Sequence, residues 1–170
     1  MYRERTRKVA LTIILTAIGV IISPLWFPVG PSKAFPGQHL INVLAGILVG
    51  PWWAALIAIL IGIIRNALGI GTIFAFPGGI PGGVVVGIAY EMLKNKRHRT
   101  RIAALTEPIG TVLIGATLSI FIIAPLIGKE AMIAIYPMVY LGWAISSLSG
   151  VAIALAVLEA LKRARIIQET

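Results

Sequence analysis

Positive charge in this chain gathers in three short clusters, and what lies between them is apolar. Residues 3–8, 94–101 and 162–165 hold twelve of the fifteen Lys and Arg. No other feature constrains the fold as much, because Lys and Arg clustered beside apolar blocks mark the cytoplasmic side of a membrane protein. The net charge of +9 therefore points to bilayer topology and not to nucleic acid. Only 12% of residues are charged, against about 25% in a soluble domain, and mean hydropathy is +0.96. One polytopic membrane domain over residues 1–170 accounts for both. Cysteine is absent, which excludes disulfides and thiolate metal sites. The N-terminus is basic and then apolar, with no small-residue cleavage site, and reads as a retained first span.

The expected spans are 9–25, 38–49, 52–68, 78–93, 102–125 and 133–161. As a single helix, region 38–68 would run about 46 Å, too long for one crossing. Gly50-Pro51 breaks it in the middle. Topology agrees: one crossing there would put 94–101 opposite 3–8, whereas two crossings bring all three basic clusters to one side. The expected fold class is therefore all-α, a compact bundle of six transmembrane helices in the cell membrane with both termini cytoplasmic. Between the first two spans Pro24, Pro28, Gly30, Pro31 and Pro36 exclude helix. They leave a rigid irregular outer loop over 26–37 that can act as a lid. Gly69 to Gly79 reads as a second outer loop, re-entering the membrane.

Lys33, Gln38, His39 and Asn42 fall within ten residues of an otherwise apolar region. On a helix His39 and Asn42 share a face and Gln38 lies one turn from Asn42. Polar side chains at membrane depth usually face a protein interior or a cavity, so this stretch reads as the wall of a small-molecule site. Arg65 and Asn66 end the third span at the same outer depth; Arg65 either snorkels to the interface or enters the pocket, and Asn66 caps the helix. Trp143, Ser146, Ser147 and Gly150 share one face of the sixth span. The small residues there suit close helix packing, while Trp143 and Ser146 can reach a ligand, Trp143 by stacking on a heteroaromatic ring. Tyr136 and Phe76 join the candidates. Glu107 lies six residues past Arg101 and reads as near the cytoplasmic end, paired with the basic loop. The glycines at 78, 79, 82, 83 and 87 let helices approach closely.

Several functions are excluded. There is no G-x-x-x-x-G-K-[ST], so this chain holds no P-loop ATPase. Gly69-Ile-Gly71 lacks a third glycine and a βαβ context. With two His, no Cys and no H-E-x-x-H, a metalloprotease has no support. No Ser and His pair at matching depth is evident for a serine hydrolase. No cofactor is expected.

Gly30-Pro-Ser-Lys33, Phe35-Pro36 with Gln38-His39 and Asn42, Gly50-Pro51, Arg65-Asn66-Ala-Leu-Gly69-Ile-Gly71-Thr72 and Ala75-Phe-Pro-Gly78 together resemble the ThiW family. The resemblance runs from the first span to about Gly150. It implies the substrate-binding (S) component of an energy-coupling factor (ECF) transporter, with a site open to the outside for hydroxyethylthiazole, the thiazole moiety of thiamin. It also implies as partners a transmembrane coupling subunit and two ATPases. Docking on that subunit through an A-x-x-x-A pattern of the first helix is implied too; Thr12-x-x-x-Thr16 and Gly19-x-x-x-Ser23 are the nearest matches. The residues themselves are compatible with a neutral heteroaromatic alcohol held by donor and amide groups. Near-absence of acidic residues in the spans argues against ion coupling. A stand-alone secondary transporter of a small heteroaromatic metabolite is the alternative.

Overall fold

The computed structural model describes residues 2–166; residue 1 and residues 167–170 of the single domain expected over 1–170 lie outside the described residues. Six long helices make the fold: Tyr2–Ile21, Pro36–Val49, Pro51–Ala67, Ala75–Met92, Arg99–Leu126 and Tyr136–Arg163. The fifth and sixth, 28 residues each, are long and apolar enough to cross a membrane, and the second and third are shorter apolar helices. Large apolar side chains cover the outside, among them Ile13, Leu113, Phe121, Leu141 and Leu148. A soluble surface does not carry so much exposed apolar area.

The second helix is the hub, packed on the first, third, fourth and sixth helices. Its burial runs all the way round, from His39 and Asn42 through Val43, Leu44 and Ala45 to Val49, as expected of a helix enclosed by others. It ends at Gly50, whose φ of +90° is accessible to glycine but strained for other residues. Pro51 then opens the third helix at a position where the missing N–H costs nothing.

The first helix differs from the expected 9–25 at both ends. It begins within the basic cluster, where Lys8 reaches Glu4 at 3.5 Å, because Arg, Lys and Glu are good helix formers. It stops at Ile21, short of Pro24, whose ring disfavours helical geometry at Ser23. Its small-residue face is turned into the bundle. Thr12, Leu15, Thr16 and Gly19 are buried against the third and second helices, so the Thr12–Thr16 and Gly19–Ser23 matches are used inside the bundle. Outward lie Ala10, Ile13, Ile14, Ala17, Ile18 and Ile21.

The loop 26–37 is not irregular. Phe27–Val29 and Ser32–Ala34 form an antiparallel hairpin with Pro28 opposite Lys33. A two-residue connection of Gly30 and Pro31 needs positive φ at its first position, and Gly30 has +54°. The second strand packs on the sixth helix. The fourth helix starts at Ala75, after a loop that includes Gly69 at φ +71°. The fifth contains two stretches of wide, i→i+5 turns, Ile109–Ala116 and Ser119–Ile123. A short helix, Ala131–Ala134, precedes the sixth.

Candidate functional site

Glu107 is fully buried, at 0% exposure, and four side chains from three helices converge on its carboxylate. Oε1 accepts from His39 Nδ1 at 2.9 Å and from Asn42 Nδ2 at 2.8 Å. The Thr111 hydroxyl lies 2.6 Å from Oε1 and 3.0 Å from the Gly78 carbonyl, between which its single proton is shared. Ser147 donates to Oε2. The pairing of Glu107 with the basic loop is thus overturned. Its depth follows from helix length: the fifth helix starts at Arg99, so Glu107 sits about 12 Å along it, and His39 sits about 15 Å from the inner end of the second. The two come level in the interior.

The expectation that no Ser and His share a depth also falls, since His39 Nε2 and Ser146 Oγ are 2.9 Å apart. Ser146 Oγ further accepts the Phe35 N–H at 2.7 Å, tying the hairpin's end to the sixth helix. With Nδ1–H given to Glu107, a neutral imidazole takes the Ser146 proton at Nε2. An imidazolium instead donates there, and the Ser146 hydroxyl is released to donate elsewhere. Gly82 is the close approach that makes room for this network: a Cβ there would come within 2.5 Å of Glu107 Oε1 and Thr111 Oγ1 and 2.7 Å of Asn42 Nδ2.

Above this network lies a cavity of about 410 Å³, within the range of small-ligand sites of about 300–1,000 Å³. It opens between the hairpin, the loop ahead of the fourth helix and the start of the sixth. Phe35, Phe74, Met132, Val139 and Trp143 supply apolar and aromatic wall; Gln38, His39 and Ser146 supply neutral polar groups; Lys33, Arg65 and Lys129 supply charge. Arg7, Lys162 and Arg165, from the basic clusters, line a separate hollow formed by the other ends of the helices.

Of the residues singled out from the sequence, Lys33, Gln38, His39, Arg65, Trp143 and Ser146 line the one cavity. Arg65 does not snorkel: it is 3% exposed, donates from Nη1 to Gln38 Oε1 at 2.9 Å and lies over the Phe35 ring. Gln38 Nε2 in turn donates to the Ala75 carbonyl at 3.3 Å. The other four are elsewhere. Asn42 is behind the wall on Glu107. Asn66 donates to the Gly62 and Thr72 carbonyls at 2.7 and 3.1 Å, securing the end of the third helix. Phe76 packs on Gly62, and Phe74, two residues earlier, takes the place on the wall. Tyr136, 48% exposed, meets Phe121 and Tyr140; side chains lean toward a helix's N-terminus, which carries a first-turn residue past the rim. Phe35, Phe74 and Lys129 were missed. Their signal was flanking position, since each stands beside a break in the helical pattern.

The sequence profile described as Thiamine-precursor transporter protein (ThiW) matches residues 9–164. The chain belongs to the ThiW family. It is accordingly a membrane protein of a transporter family whose substrate is a thiamine precursor. A comparison with curated proteins finds no match. An aromatic-walled cavity with polar groups at its floor and cations at its rim is a suitable form for a small-ligand site.

Proposed function

We propose that this chain is the S component of an ECF transporter, crossing the membrane six times with both termini cytoplasmic and capturing a thiazole-type precursor, hydroxyethylthiazole or a close relative, from outside. The observation that carries this is the cavity itself. It faces away from the ends that bear the basic clusters, and its polar floor, His39 and Ser146, faces a wall of Trp143, Phe35 and Phe74. An azole ring stacks on such a wall while its nitrogen and side chain take hydrogen bonds. The hairpin is the lid, tied to the floor through Phe35 and Ser146. Partners in this reading are a transmembrane coupling subunit, for which the outward Ala10–Ala17 face of the first helix is available, and two ATPases, because the chain has no ATP-binding motif of its own.

Purified protein should bind hydroxyethylthiazole without ATP or partner, measured by calorimetry in nanodiscs, and His39→Ala should weaken binding at least about tenfold. Unchanged affinity in that variant would remove the proposed floor. A second reading, stand-alone secondary transport, is favoured by Glu107, a buried intramembrane carboxylate of the kind that proton-coupled carriers use. Uptake into liposomes holding this chain alone, driven by a pH gradient, would establish it in place of the first.

A further inference from the structure

We propose that the rim of this cavity is an anion subsite, and that the physiological ligand is a heteroaromatic precursor bearing a phosphate monoester or carboxylate, not the neutral alcohol. The proposal refines the thiazole reading above and rests on it for the ring. Three cations line the cavity, Lys33, Arg65 and Lys129, and no Asp or Glu does. Among the described residues no ion pair involves these three; pairs such as Lys8–Glu4, Arg101–Glu159 and Arg163–Glu159 lie elsewhere. The interior acid, Glu107, is occupied by His39, Asn42, Thr111 and Ser147.

Arg65 is the decisive member. It is 3% exposed, its Nε has no hydrogen-bond partner, and Nη1 is given to a neutral amide. A buried guanidinium with unmet donors is costly unless something else completes it. Each of the three cations is instead held against a ring: Lys33 over Trp26 at 4.2 Å, Arg65 over Phe35 at 4.9 Å and Lys129 over Phe74 at 5.7 Å. Ring faces position a cation without neutralising it. The arrangement therefore gathers positive charge without a carboxylate partner from the hairpin, the third helix and the segment between the fifth and sixth helices around one opening. An anionic group entering there takes charge-assisted hydrogen bonds from Arg65. It also draws Lys33 and Lys129 inward, closing the hairpin over a ring already stacked below.

The test uses the full chain in nanodiscs and four probes: hydroxyethylthiazole, its phosphate monoester, a methylthiazole carboxylate and phenyl phosphate. The expected result is that at least one anionic thiazole binds about tenfold or more tighter than the alcohol. That preference should shrink with added salt and fall severalfold in Lys129→Gln and Lys33→Gln, both at exposed positions where folding is not at stake. Alcohol binding as tight as or tighter than both anionic thiazoles overturns the subsite and leaves the thiazole reading intact. Tight phenyl phosphate binding with no binding of any thiazole supports the subsite and removes the thiazole reading instead. A preference for the anion that survives both lysine substitutions and high salt overturns the part assigned to Lys33 and Lys129, and one that also survives Arg65→Gln overturns the subsite.

Discussion

At the scale of single residues, Glu107 is the least replaceable side chain. Four donors meet one carboxylate, and an amide in its place turns an N–H toward another donor. Leaving a buried donor or acceptor without its partner costs about 1–3 kcal/mol, and more at a charged group. Glu107→Gln is accordingly expected to lower the unfolding temperature in detergent sharply, with His39→Gln in the same chain recovering part of the loss because the two sites are coupled. Equal and additive losses would mean that the contact between them contributes little. The residue was visible in the sequence as an isolated acid in an apolar run. Its contacts with His39 and Asn42 were not, since these lie 68 and 65 positions away in the chain.

At the scale of elements, the fourth helix decides how near the polar network its neighbours can stand. Gly82→Ala would place a methyl among Glu107, Thr111 and Asn42 at 2.5–2.7 Å, forcing the fourth and fifth helices apart. A loss of about 1–3 kcal/mol is expected from such overpacking, together with weaker ligand binding. Gly69→Ala, with open space around it, should lose only the backbone strain of its positive φ, about 1 kcal/mol, and leave affinity alone. Thermal unfolding and calorimetry on the pair separate the two effects. Glycine-rich spacing in this stretch was plain from the sequence, yet its use was not: the spacing says that something comes close, and the fold says that it is a buried carboxylate.

For the whole molecule, the basic clusters and the cavity stand at opposite ends of the helices, and the six-span reading depends on that polarity. Because the chain has no cysteine, single cysteines report topology cleanly. Lys96→Cys is expected to resist a membrane-impermeant maleimide in intact cells and Lys129→Cys to react; the reverse, or labelling of both, would undo the proposed orientation. Docking is a whole-molecule property as well. The small-residue face of the first helix is consumed by packing on the third helix, so in the proposed reading a coupling subunit would meet the other face.

Composition and local order alone determined that this chain belongs in a membrane, where its helices break, as at Gly50-Pro51, and that its polar residues gather near the start of the second helix. These are properties of neighbours in sequence, set by hydropathy, by backbone sterics and by charge. Only the tertiary structure decided that His39 meets Glu107, that Tyr136 and Phe76 leave the wall while Phe74 and Lys129 join it, and which side of the first helix faces in. Such pairings depend on the relative offset of helices of unequal length, 14 residues for the second and 28 for the fifth. No local pattern encodes that offset, because it is fixed by how side chains from separate helices fill the space between them.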